Sequence, residues 1–178
     1  IKAKIFDEII ISTDSQSYGL EARKYGAKFF YLRSKTLSKS KVGDIDVIYD
    51  ALKKSEKKFK KKYDFVAMLQ PTCPTRKPTD VIRCQREIVK KKLDTVWTVS
   101  KVDKKFHPLK ILKINDDGSF KNYIDAGKKI IARQQLSNVF IRNGACYFFS
   151  RQTIIKKNLY GKKNSLIIIQ REMINIDD

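Results

Sequence analysis

The chain has 178 residues, 42% hydrophobic and 33% charged, which fits one globular α/β domain with a real core rather than a disordered chain. No apolar run approaches the roughly 20 residues of a membrane span, and nothing at the start reads as a signal peptide. A net charge of +20 attracts anions of any kind, from nucleic acid and acidic lipid to nucleotides, but says nothing about fold.

The chain opens at Ile1 without Met, so its start is read as a cut or processing boundary. Ile9-Ile10-Ile11 reads as a buried strand ended by Ser12-Thr13-Asp14-Ser15. Asp14 or Ser15 is a good N-cap for a helix through Leu20 to Lys24, stopped by Tyr25-Gly26. Ala27 to Tyr31 is a second short strand, so the opening reads as a βαβ-like unit. Ser12-Thr13-Asp14 either caps the helix only or faces a ligand from a strand's carboxyl edge. Leu32 to Ser40 is a polar surface loop. From Asp44, the residues Ile45, Val47, Ile48, Ala51 and Leu52 fall at helical spacing. The helix then dissolves into the lysine-rich run 53–62. That run reads as a solvated end complementing the helix dipole, or as a phosphate-tracking patch.

Phe65 to Leu69 is an apolar run long enough for one buried strand. Gln70-Pro71-Thr72-Cys73-Pro74 follows, and two prolines within four residues stop the strand and stiffen the turn. Polar Gln70, Thr72 and Thr75 are thus held at the carboxyl end of a strand, where open α/β sheets bind ligands. Thr79-Asp80 begins a helix through Val81, Ile82, Cys84, Ile88 and Val89. Cys84 is read as a small core residue. Thr95 to Val99 is a strand rich in β-branched and aromatic side chains, with Trp97 as packing. The three cysteines, Cys73, Cys84 and Cys146, are odd in number and lack metal-ligand spacing, so a reducing cytoplasm is the expected setting.

Residues 101–135 differ in character. They hold His107-Pro108, an alternating run Leu109 to Ile114, and a hairpin turn at Asn115 to Gly118. Strands without intervening helices read as an inserted arm, a lid or a dimer contact. Val139 to Phe149 is apolar and interrupted by Gly144, which marks a bulge or a close approach of backbone to ligand. Asn143 before it tolerates positive φ and carries both donor and acceptor. A helix from Arg151 to Asn158 and a strand from Ser165 to Ile169 follow. The acidic close, Asn175-Ile176-Asp177-Asp178, suits a hard cation or caps a helix. No repeat or linker is visible, so 1–178 reads as a single domain with the 101–135 insertion.

Taken together, these stretches resemble the acylneuraminate cytidylyltransferases, the CMP-sialic acid synthetase family. Leu69-Gln70-Pro71-Thr72-Cys73-Pro74 looks like the family's Leu-Gln-Pro-Thr-Ser-Pro segment, with cysteine for serine. Asn143-Gly144-Ala145-Cys146-Tyr147, Arg133-Gln134 and His107-Pro108 match three further segments in order. The resemblance spans nearly the whole chain. It implies a three-layer, Rossmann-like α/β nucleotidyltransferase domain with a predominantly parallel sheet. It also implies a homodimer in which the 101–135 arm reaches to the partner. The implied reaction transfers CMP from CTP to the anomeric hydroxyl of a nine-carbon α-keto acid sugar, a nonulosonic acid of the sialic acid type, and releases pyrophosphate.

By similarity, Gln70 and Thr72 contact the sugar or ribose beside Cys73, and Asn143 helps hold the acceptor. Arg133 offers a fork-shaped cation to a carboxylate or phosphate, so Arg133 and Gln70 stand as the catalytic pair. Ser12 lies near the cytidine, and Mg²⁺ is held by Asp177 and Asn175. Several departures accompany the match. The family's opening phosphate-binding loop has no counterpart, so this piece is expected to be weak or inactive alone. Asn175 replaces one of two metal aspartates. Ile141 occupies a place where many members carry arginine, with Arg142 adjacent. Two rival readings are a basic nucleic-acid-binding domain and a non-catalytic homologue. The absence of aromatics interleaved among the lysines argues against nucleic acid as a partner.

Overall fold

The computed structural model describes residues 2–176. Four helices and a four-stranded sheet carry the domain. In chain order they are α1 (Gln16–Lys24), α2 (Asp44–Phe59), β1 (Phe65–Met68), α3 (Pro78–Lys91) and β2 (Thr95–Lys101). The hairpin β3 (Leu112–Ile114) and β4 (Phe120–Asn122) comes next, then β5 (Phe140–Ser150), α4 (Arg151–Ile155) and β6 (Asn164–Ile168).

The sheet order is β1-β5-β2-β6. β5 pairs antiparallel with both β1 and β2, and β2 pairs parallel with β6. Three strands therefore share one direction and β5 alone opposes them. The sheet is predominantly parallel in strand direction, although two of its three ladders are antiparallel. Helices cover both faces, giving three layers. Val81, Cys84 and Ile88 of α3 pack on Val96, Cys146, Phe148 and Ile167. Ile48 and Leu52 of α2, with Ile154 of α4, pack on Trp97, Tyr147 and Phe149. Alternate residues of β5 thus enter opposite cores, which is why the run reads as continuously apolar rather than alternating.

The local signals in the chain set most helix ends. Ser15 caps α1 by accepting from Tyr18 N, and Gly26 (φ 89°) follows the helix. Lys60, at φ 56°, ends α2. Helix α3 begins at Pro78 rather than Thr79, because proline suits the first helical position. Helix α4 is shorter than expected, ending at Ile155.

The strands expected at 9–11 and 27–31 are corrected. Among the described residues they make one parallel bridge, Ile10 to Lys28. Backbone bonds run from Ile11 N to Lys28 O (3.1 Å) and from Lys28 N to Ile9 O (2.7 Å). Ile9, Ile10 and Ile11 are half-buried, so apolar content alone overstated the ladder. In the 101–135 insertion the hairpin forms as expected, with Ile114 opposite Phe120.

Candidate active site

The register between β2 and β5 breaks where Gly144 stands. Trp97 faces Tyr147, but two residues on, Val99 faces Arg142. β5 therefore carries extra residues between Arg142 and Tyr147, and Gly144 takes a left-handed φ of 69°. Bulging strips this segment of ladder partners, so its backbone groups need others. Gly144 N donates to the Tyr147 hydroxyl (3.0 Å), Ala145 N to Asn143 Oδ1 (3.2 Å) and Cys146 N to Thr98 Oγ1 (2.9 Å). Thr98 returns its own hydroxyl proton to Cys146 O at 3.0 Å.

The carbonyls are taken by a residue that the sequence motifs did not single out. Arg76 donates through Nε to Ala145 O, and through Nη2 to Gln70 O and Gly144 O. One planar fork thereby ties the Gln70 turn to the β5 bulge. A lysine has a single nitrogen and cannot span the three carbonyls. Burial pulls the Arg76 guanidinium below its ordinary value. Its signal in the sequence was an arginine inside the proline-stiffened stretch of a chain whose cations are mostly lysine.

A Cβ built on Gly144 would stand 2.6 Å from Gln70 Oε1, and 3.5 Å from both Asn175 Oδ1 and Cys73 Cβ. Three expected site residues, Gln70 and Cys73 from the turn and Asn175 from near the end of the chain, therefore converge on this glycine. Cys73 is buried with Ala145, Ile169 and Met173. Asn143 is 3% exposed and engaged at both ends, its Nδ2 donating to Ser100 Oγ at 3.1 Å. The C-terminal limb is fastened to the turn as well. Ile176 N donates to Thr72 O (2.8 Å) and Ile174 N to Thr75 Oγ1 (3.2 Å). Arg171 pairs bidentately with buried Asp80 at the start of α3 and donates to Thr75 O at 3.1 Å. Burial pushes the Asp80 carboxyl up, but the Arg171 and Lys77 hydrogen bonds outweigh it and hold the group below its ordinary value.

The remaining expected residues stand apart from this cluster. Arg142 lies over the Trp97 ring, 5.6 Å from its centroid. Arg133 is exposed on the inserted arm and pairs with Asp103 at 3.3 Å. Arg133 and Asp103 line a second cleft of about 400 Å³ with Lys101, Val102 and Lys104. The Ser12 hydroxyl is buried beside the Tyr31 phenol, and Arg33 reaches the Ser12 carbonyl at 3.5 Å. Asp177 lies outside the described residues. Among those described, no group of three or more His, Cys, Asp or Glu side chains is placed to hold a metal.

The Pro-stiffened turn and the glycine bulge thus meet beyond the carboxyl end of β1 in a three-layer α/β domain. A solved CMP:2-keto-3-deoxy-manno-octonic acid synthetase complexed with CTP superposes at a TM-score of 0.62, with 11% identity over 98% of this chain and 79% of that one. At that identity the likeness is one of fold.

Sequence comparison carries the finer assignment. No protein-family model matches the chain. It is 27% identical to post-translational flagellin modification protein B of Campylobacter coli, over 94% of this chain and 70% of the relative. It is 28% identical to N-acylneuraminate cytidylyltransferase of Escherichia coli, over all of this chain but only 41% of that longer protein. It is 29% identical to CMP-N,N'-diacetyllegionaminic acid synthase of Legionella pneumophila, over 99% of this chain and 75% of the relative. Along essentially its whole length the chain is thus similar to curated proteins named N-acylneuraminate cytidylyltransferase and CMP-N,N'-diacetyllegionaminic acid synthase.

Proposed function

We propose that this domain is a cytidylyltransferase that transfers CMP from CTP to the anomeric hydroxyl of a nonulosonic acid and releases pyrophosphate. The observation that carries this reading is the convergence of Gln70, Cys73 and Asn175 on Gly144, in a chain whose relatives over its whole length are named N-acylneuraminate cytidylyltransferase and CMP-N,N'-diacetyllegionaminic acid synthase. In the reaction the anomeric oxygen forms a bond to the α-phosphorus of CTP. The bond from that phosphorus to the pyrophosphate oxygen breaks, and the hydroxyl proton leaves.

The protein's part is to position the reactants in line and to exclude water. Gln70 offers an amide donor and an acceptor to sugar or ribose hydroxyls, on a turn that cannot relax because Arg76 fixes its carbonyl. Thr72, buried Cys73 and Asn143 shape the adjoining wall, and the overall positive field draws in both anionic substrates. Arg133, on its Asp103 partner, presents a fork for a carboxylate or phosphate from the inserted arm. Ser12 serves the cytidine side and Arg142 the outer rim of the β5 bulge.

Asn175 presents an amide oxygen to the site, and Asp177 follows two residues on. Such oxygen donors, together with substrate phosphates, suit Mg²⁺. When bound, the ion would neutralise developing phosphate charge. The working unit is a cytoplasmic homodimer joined through residues 101–135, where Phe106, Ile114, Phe120 and Ile131 are 63%, 74%, 71% and 93% exposed. Among the described residues, no helix is long and apolar enough to cross a membrane.

The test is pyrophosphate release by the full natural chain that contains this sequence, with CTP or ATP against a panel of sialic, legionaminic and pseudaminic acids. Turnover with CTP and at least one of these acids is expected, with Gln70→Ala raising KM for the acid. CTP bound no better than ATP, with no acid consumed, would overturn the reading.

A further inference from the structure

The opposite end of β1 from the Gln70 turn carries a second feature, which the transferase reading does not use. The end of α2 and the loop after it contribute six lysines to an open cleft of about 650 Å³, completed by Arg151 and Glu56. Lys62 stands before the amino end of β1 and Gln70 after its carboxyl end, so the cleft and the candidate active site lie at opposite ends of that strand.

Its charges are largely unspent. Lys54 is paired with Asp50 at 2.8 Å, and Lys61 with Glu8 and Asp7 at 3.3 and 3.7 Å. Glu56, the single carboxylate in the lining, is taken bidentately by Arg151 at 2.6 and 3.1 Å. Among the described residues, Lys53, Lys57, Lys60 and Lys62 have no carboxylate within 4.0 Å. Helix-dipole complementation does not account for them. The C-terminal end of a helix carries about half a negative charge, felt within the last turn, and Lys57 and Lys58 already occupy that turn. Lys60 and Lys62 lie beyond it.

Four free ammonium groups around one concavity favour a compact ligand with several negative charges. Flexible point charges suit phosphates of no fixed orientation better than planar carboxylates. The lining contains no aromatic ring for a base to stack on, so recognition falls on the phosphates. We propose that this cleft is a binding site for a short oligophosphate, either a free inorganic chain or the phosphate arm of a nucleotide.

The experiment is isothermal titration of the chain in low-salt, EDTA-containing buffer with inorganic tripolyphosphate, ATP and AMP. Neither CTP nor sugar is needed, so the outcome is independent of the transferase reading. Tripolyphosphate should bind, far better than AMP. ATP equal to tripolyphosphate assigns the ligand as a phosphate arm from either source, and ATP much weaker assigns it as the inorganic chain. The combined variant Lys53→Gln, Lys57→Gln, Lys60→Asn, Lys62→Gln should lose about tenfold or more in tripolyphosphate affinity, while Gln70→Ala leaves it unchanged. The double variant Lys53→Gln, Lys62→Gln, with a smaller loss in the same direction, covers the case of a misfolded quadruple variant. The proposal is overturned if wild-type affinity persists in the lysine variants, if Gln70→Ala abolishes binding, if AMP matches tripolyphosphate, or if a single-stranded oligonucleotide binds the cleft while tripolyphosphate does not.

Discussion

Replacing Gly144 with alanine tests the centre of the site, because its two costs can be separated. The backbone there has φ 69°, a region that costs an L-residue about 1–2 kcal/mol. The new Cβ would also stand 2.6 Å from Gln70 Oε1, closer than atoms approach. Gln70 must swing away, at about 0.5–1.5 kcal/mol for leaving its preferred rotamer. Gly144→Ala should therefore lose about 1.5–3.5 kcal/mol. Gly118 supplies the control, with φ 80° and nothing within 4 Å of the methyl carbon that alanine would add. Gly118→Ala should lose only the backbone share, about 1–2 kcal/mol. Urea unfolding followed by circular dichroism gives both values. The second readout is kcat/KM for the nonulosonic acid in the full natural chain. It should fall about tenfold or more in Gly144→Ala, because Gln70 has moved, and stay unchanged in Gly118→Ala. Equal loss of stability and equal activity in the two variants would refute the claim that Gln70 is packed on Gly144 for a purpose.

Three further predictions concern the groups around that centre. Arg76→Lys leaves two of three carbonyls without a donor and should cost about 1–3 kcal/mol, with a fall in kcat/KM; an unchanged urea midpoint would remove Arg76 as the tie between turn and bulge. Asp80→Asn should cost about 3 kcal/mol near neutrality, as breaking a buried pair does. Because the folded Asp80 carboxyl lies below its ordinary 3.8, its contribution is present above that value and is lost as pH falls through the folded one. The stability gap between wild type and variant should therefore close below about pH 4, and a gap that stayed constant through that window would contradict the pairing. Ile114→Lys with Phe120→Lys places two charges side by side on the exposed hairpin; light scattering should show a dimer becoming a monomer, and an unchanged mass would exclude the arm as the contact.

Much of the local order follows from the chain itself. Ser15 before α1, the apolar spacing of α2, Pro78 and the Gln70 turn are short-range signals. Each acts through φ/ψ restriction or capping within a few residues. The bulge at Gly144 was legible for the same reason, since a glycine inside an apolar strand meets a local steric demand. The Ile9–Ile11 and Ala27–Tyr31 segments were overread, because apolar content sets burial but a ladder needs a partner in register. The tertiary structure alone decided where β5 runs, antiparallel between β1 and β2. It alone brought Arg76 to Ala145, Arg171 to Asp80 and Asn175 to Gly144, across separations of 69, 91 and 31 residues. It also set Arg133 and Arg142 apart from Gln70. No periodicity encodes such pairings. They arise because the backbone of a bulged, buried strand must find hydrogen-bond partners wherever the fold places them.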